Sequence, residues 1–317
     1  MPTTSKEHKS MSSTSQPEFE VLAEGFLFPE GPISLSDGSA ILVDILAGTL
    51  VRVRPSGPTE IIANLGGGPN GAAFGPDGKV YVCNNGGLAW GRANDGRIVI
   101  RDDSPENYQG GWIDRVDLTS GLVERLHEVG NGNRLSSPND IVFDRTGGYW
   151  FTDSGKTIGR LRHVSSIYYV APDCREPREV VPRGLCFNGI GLSPSEDVLY
   201  AADTYSATLW AYTLSAPGHI DPTAPARVVA RIPRAVGLDS LAVLANGHVC
   251  VGVLFEGGIA EITPNGAVTL LPLPDLYVTN ICFGGADRCD AYITLSETGR
   301  LIRMRWPTPG LILNFAR

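Results

Sequence analysis

PNDIVFDRTGGYWFTDS, residues 138–154, reads as one structural unit. A polar residue near its start precedes a short apolar stretch. Asp144-Arg145-Thr146-Gly147-Gly148 supplies turn chemistry, and a second apolar stretch follows. That is strand, tight turn, strand. The unit recurs as PEGPISLSDGSAILVDI (29–45), PNGAAFGPDGKVYVCNN (69–85), FNGIGLSPSEDVLYAADT (187–204), LDSLAVLANGHVCVGVL (238–254) and TNICFGGADRCDAYITL (279–295). The second residues of these six units are Glu30, Asn70, Asn139, Asn188, Asp239 and Asn280, spaced by 40, 69, 49, 51 and 41 residues. Periods of about 40–50 residues belong to four-stranded propeller blades. The long interval holds an extra loop, 86–112. Stretches such as GTLVRVRP, GWIDRVDL, TLWAYTL and GRLIRMRW complete the blades. The pattern predicts an all-β, six-bladed propeller in a single domain over 19–317. FEVLA (19–23) pairs with the C-terminal segment and removes the free sheet edges.

Composition agrees. The 317 residues include 38 Gly and 23 Pro, which disfavours a helical protein. Hydrophobic residues make up 42% and charged residues 19%, enough apolar material for a packed core. The net charge of −8 argues against a nucleic-acid or anionic-membrane partner, both of which call for basic patches. Residues 1–18 are polar and Ser/Thr-rich, expected to be a disordered tail without a secretory signal, and no apolar run is long enough to span a membrane. A cytoplasmic protein is expected, with Cys83, Cys174, Cys186, Cys250, Cys282 and Cys289 reduced and mostly buried. Nothing indicates an oligomeric state.

In a propeller the first strand of each blade lines the central channel, so the repeated polar position forms a ring. It reads Glu, Asn, Asn, Asn, Asp, Asn: all oxygen donors, with no His or Cys. Asn and Asp before Gly are ordinary turn formers. Turn chemistry, however, already sits later in each unit, and six such residues at one register point to a hard divalent cation in the channel. Ca²⁺ comes first, with Mg²⁺, Mn²⁺ or Zn²⁺ as alternatives. Glu30 and Asp239 are the only carboxylates at the ring position itself. Asp44, Asp153 and Asp203, on the second strands, are expected to hydrogen-bond between blades. Trp90, Tyr108 and Trp112 fall in the long loop, either as a packed flap or at the pocket mouth.

Other motifs are weak. Gly66-Gly67-Gly68-Pro69-Asn70-Gly71 fits G-x-G-x-x-G by letter, but a strand-like run follows it rather than a helix. No nucleophile elbow, H-E-x-x-H or phosphate loop occurs. None of the five histidines stands at the ring position. His127 and His163 are reserve candidates for a base.

PEGP, SPND, FNGIGLSP, GLDS and the ending TNICFGGADRCDAYITLSETGRL resemble the gluconolactonase/regucalcin/senescence marker protein family over residues 19–306. Diisopropylfluorophosphatase is a more distant relative with the same ring. The resemblance implies a six-bladed propeller with one divalent ion, commonly Ca²⁺, and hydrolysis of a small-molecule lactone. Carried over by position, it implies Glu30, Asn188 and Asp239 as metal ligands, with Asn139 a further ligand or a substrate contact; Asn70 and Asn280 of the ring and Trp112 of the long loop are the other substrate contacts expected. Asp239 is the candidate catalytic residue. The ion polarises the lactone carbonyl, while Asp239 takes a proton from water or attacks directly. The chain departs from the family pattern at Phe187, at Leu238-Asp239-Ser240, and at Ser137, where sugar-lactone members often carry Arg. With Phe187, Trp90, Trp112, Phe255 and Tyr277, these departures suit a more apolar lactone than an aldonolactone. A phosphotriesterase-like hydrolase and a non-catalytic calcium-binding propeller are the rival classes.

Overall fold

The computed structural model describes residues 17–94, 96–101, 103–174, 176–232 and 237–317. Of the tail expected at 1–18, all but Pro17 and Glu18 lies outside the described residues. Strands and turns account for the described chain, and no helix occurs in it. None of it is therefore a helix long and apolar enough to cross a membrane.

Among the described residues six antiparallel sheets of four or five strands form a ring, and three two-stranded hairpins accompany them. Their inner strands are Pro29–Ser34, Pro69–Phe74, Pro138–Phe143, Phe187–Leu192, Gly237–Val243 and Val278–Gly284, which open blades 1 to 6 in that order. Each inner strand touches the next, and the sixth returns to the first, so the ring is closed. In blade 6 the outer strand is Glu20–Glu24, paired antiparallel with Arg300–Arg305. The expected seam between the two ends of the chain is thus present, reinforced by Arg303 on Glu20 at 2.6 Å.

Burial falls from the axis outward, which explains the composition of each strand. The second strands Ala40–Asp44 and Tyr149–Asp153 are covered on both faces and are buried throughout. The fourth strands, such as Glu60–Asn64 and Arg178–Gly184, are mostly half-buried to exposed, with charged residues at their starts. The core lies between blades. Val142, Trp150, Ile167 and Tyr169 of blade 3 pack against Ile190, Leu199 and Tyr212 of blade 4.

The second-strand carboxylates do something other than expected. Asp44 accepts from the backbone N–H groups of Leu27 (2.8 Å) and Phe28 (3.0 Å). Asp153 does the same with Ser136 (2.6 Å) and Ser137 (2.7 Å), and Asp203 with Leu185 (3.3 Å) and Cys186 (3.2 Å). In every case the bonded residues lead into the inner strand of the same blade. These side chains pin the linker that enters their own blade, rather than bridging two blades. The reason is that the linker has no strand partner and its N–H groups must be satisfied locally. The cysteines are also less buried than expected: Cys83 and Cys250 are buried, Cys186, Cys282 and Cys289 are half-buried, and Cys174 is exposed. All six are unpaired.

The C-terminal segment crosses the channel at the end away from the ring residues. Leu311 N–H donates to Val243 O of blade 5, Asn314 Nδ2 to Phe143 O of blade 3, and Ser36 N–H of blade 1 to Arg317 O. Beneath this strap lies a cavity of about 180 Å³, lined by inner-strand residues including Ile141, Ile190, Leu241 and Phe283 and by Leu311–Ala316.

Candidate metal centre

The six expected ring residues all fall at the upper ends of the inner strands, and all are buried. Each inner strand breaks register at this point: between Glu30 and Ile33, Pro69 and Ala72, Pro138 and Ile141, Phe187 and Ile190, Leu238 and Leu241, and Val278 and Asn280. A bulge re-aims side chains that a regular strand would point alternately. The glycine after the ring residue has a separate cause. A Cβ on Gly31 would stand 2.5 Å from Asn70 O, and one on Gly189 would stand 2.7 Å from Asp239 O. The next blade crowds this slot.

Two blades fill that slot with a polar side chain instead, and sequence reasoning missed both. Asp140 accepts from Ile141 N–H (2.9 Å) and from Ile190 N–H of blade 4 (3.3 Å). Ser240 Oγ donates to Asn188 Oδ1 (3.4 Å). Glu30 and Asp239 are therefore not the only carboxylates here; Asp140 joins them. The legible signal was that Asp140 and Ser240 occupy the position that is Gly31, Gly71 and Gly189 in other repeats.

The three acids share one field. Burial pushes Glu30 up to about 7, against the pull of hydrogen bonds headed by that from Asn280. Burial, and then the charge of Glu30, push Asp140 up to about 8. The same two causes in the same order raise Asp239 well above the carboxylate range. Such a cluster disfavours full ionisation unless a cation compensates it.

The donor set fits a hard cation. Glu30 Oε1 and Asn139 Oδ1 are buried and have no hydrogen-bond partner among the described residues. Two orphaned oxygens in one oxygen-lined ring are a cost that a bound ion removes. Among the described residues no group of three or more His, Cys, Asp or Glu is gathered as a metal site. Amide oxygens would thus have to share the coordination. Neighbours orient the donors. Asn280 Nδ2 donates to Glu30 Oε2 (2.8 Å), and Gly31 N–H donates to the same oxygen. Asn188 Nδ2 donates to Thr204 Oγ1 (3.3 Å). Asn280 therefore faces Glu30, with its carbonyl accepting from Ile281 N–H (2.7 Å).

The remaining candidates lie further out. Trp112 begins the third strand of blade 2; its Nε1 donates to Asp114 (2.6 Å) and Arg125 stands 3.9 Å over its ring. Phe187 is buried in the core between blades 3 and 4. His163 Nδ1 is 2.8 Å from Ser136 Oγ on the mouth face, and His127 ends the outer strand of blade 2. The long loop folds as a packed flap with its own hairpin, Ala89–Arg92 and Ile98–Arg101. Buried Lys156 holds it by donating to Gly87 O (2.6 Å) and Asn85 O (3.2 Å), with Nζ 5.3 Å over Tyr108. Burial brings this lysine down to about 8. Trp90 and Tyr277 pack on Phe28, and Phe255 packs on Tyr277.

Comparison with known proteins bears on the fold and the family. The model of the SMP-30/Gluconolactonase/LRE-like region matches residues 28–297. A gluconolactonase of Zymomonas mobilis is 28% identical over 323 residues, covering 92% of this chain and 82% of the relative. Lactonase drp35 of Staphylococcus aureus is 24% identical over 257 residues, covering 80% and 71%. The crystal structure of a calcium-binding protein, regucalcin, from Agrobacterium tumefaciens has the same fold. Its TM-score is 0.73 at 20% identity, over 95% of this chain and 98% of that one.

Proposed function

The chain belongs to the SMP-30/gluconolactonase/LRE-like family, and from that premise we propose that it is a divalent-metal-dependent hydrolase that opens lactones, apolar ones in preference to aldonolactones. The observation that carries the metal dependence is the pair of buried, unpartnered oxygens, Glu30 Oε1 and Asn139 Oδ1. With Asn188 and Asp239 they form the set that would hold the ion, Ca²⁺ first. A cation bound there supplies Lewis acidity toward a carbonyl oxygen. Asn280 and Gly31 fix the Glu30 carboxylate, and Ser240 and Thr204 fix the Asn188 amide. Burial, and then the charge of Glu30, raise the proton affinity of Asp239 above that of an ordinary carboxylate; ionised beside a bound cation, it is the candidate base. The relatives named gluconolactonase and lactonase support the reaction class, and the partly exposed aromatic residues Trp90, Tyr277 and Phe255, packed in sequence around buried Phe28, support the preference.

The test is a panel of aldonolactones, alkyl- and aryl-substituted lactones and phosphotriesters, assayed after EDTA treatment and after add-back of Ca²⁺, Mn²⁺, Zn²⁺ or Mg²⁺. Lactone opening that EDTA abolishes and a divalent ion restores is the expected result. Activity unaffected by EDTA refutes the metal dependence. Turnover of phosphotriesters alone refutes the substrate class.

A further inference from the structure

A chain of aromatic rings arcs from the flap to blade 5, with buried Phe28 as its base and half-buried Trp90 and Tyr277 packed on it. Ring centroids of Trp90 and Phe28 are 5.4 Å apart, those of Phe28 and Tyr277 5.9 Å, and those of Tyr277 and Phe255 5.7 Å. The arc runs from the blade 2 flap over blades 1 and 6 to blade 5. Two of its members closely precede ring residues in the chain: Phe28 is two residues before Glu30, and Tyr277 is three before Asn280. Phe255 Cε2 is 3.5 Å from where a Cβ on Gly237 would stand, on the strand that carries Asp239. An ion pair between Arg97 and Glu297 ties the flap hairpin across to blade 6, which seats Trp90 against Phe28.

Phe255 is the unusual member. Its φ is 71°, in the left-handed region where a bulky side chain is a genuine outlier. The turn it opens contains Gly257, with φ 76°, so glycine chemistry suits this turn. The backbone of Phe255 is held by donation to Leu276 O at 2.6 Å. The residue is nevertheless 52% exposed, so burial in the core does not account for it. A strained position kept by an apolar side chain at a site mouth points to a ligand contact.

We propose that this arc is the wall that receives the apolar substituent of the lactone, and that Phe255 is its specificity-determining residue. The proposal rests on the lactonase reading and adds the substrate class: lactones bearing an aryl or medium alkyl substituent. The lactone ring sits over the ionisable cluster while its substituent lies along Trp90, Tyr277 and Phe255, which buried Phe28 supports from below. Offset or edge-on aromatic contacts suit a planar substituent.

The test compares wild type with Phe255→Gly, which removes the ring and also relieves the left-handed strain, and with Trp90→Leu. Each is assayed with calcium on a phenyl-substituted δ-lactone and on the unsubstituted δ-lactone. The ratio of kcat/KM between the two lactones is expected to fall about tenfold or more, the scale on which apolar pockets discriminate, with the loss carried by KM. An unchanged ratio in Phe255→Gly overturns the proposal. Should wild type open neither lactone, the reaction assignment fails, and the arc is judged by calorimetric binding of a phenyl-substituted δ-lactam. Binding that Phe255→Gly weakens about tenfold upholds the arc. No binding by wild type, or equal binding by both proteins, overturns it.

Discussion

Stripped of divalent ions, the protein should be more stable in mild acid than at pH 8. Glu30 is held up near pH 7 by burial, and Asp140 near 8 by burial and the charge of Glu30. In an unfolded chain these carboxyls titrate near ~4. From there to about pH 7 the folded chain keeps a proton on Glu30 that the unfolded chain has released. The stability from this group is fully present below the unfolded value and is lost as pH rises through the folded one. The rise of Glu30 from 4.5 to about 7 corresponds to roughly 3 kcal/mol. Asp140 and Asp239 act with the same sign, but the three interact, so their costs overlap rather than add. Roughly 3 kcal/mol amounts to about 5–10 °C in Tm. Exposed carboxylates do not counter the trend, since partners such as Ser39 beside Asp37 and Arg305 beside Asp287 hold them low and ionised throughout this range. The assay is thermal unfolding in EDTA at pH 5, 6, 7 and 8, repeated with excess Ca²⁺. Metal ligands must be deprotonated, so the Ca²⁺-induced rise in Tm should be large at pH 8 and small at pH 5. Glu30→Gln should flatten the EDTA profile. An EDTA profile that climbs from pH 5 to 8, or a calcium shift equal at both ends, refutes the reasoning.

Asp239→Asn should lower lactone turnover about 10²–10⁴-fold, as loss of a general base does, and added calcium should not restore it. Glu30→Gln should weaken calcium affinity instead, so that excess calcium partly recovers the rate; calcium titrations of activity separate the two. Deleting residues 308–317 strips the strap from the lower cavity and removes the edge-on contact of Phe315 with Phe143. A loss of about 3 kcal/mol is expected from the apolar area uncovered, read as a lower Tm together with increased binding of a hydrophobic dye. Lys156→Met leaves the Gly87 and Asn85 carbonyls without their buried donor. It should cost about 1–3 kcal/mol locally and show as faster proteolytic cleavage within residues 86–111, with the blades intact.

The blades were legible in the chain because each hairpin is specified locally. Alternating apolar residues and a turn rich in Gly, Asp or Asn recur at a period that only stacked blades satisfy. The ring was legible for the same reason: a residue repeated at one register of a repeated strand must recur around the axis. So was the seam, since an unpaired N-terminal strand has one compatible edge. What repetition cannot reveal is contact between repeats. Asp140 enters the acid cluster because blade 4 presents the Ile190 N–H to it, a meeting of residues 50 positions apart. Asp44, Asp153 and Asp203 turn to their own linkers because those N–H groups have no strand to pair with. Trp90 reaches Phe28, and Trp112 does not, because the Arg97–Glu297 ion pair carries the flap hairpin toward blade 6 while Asp114 and Arg125 hold Trp112 on its strand. Local pattern determined the strands and their count. Long-range packing and the distribution of buried charge decided which of the polar and aromatic residues share one site.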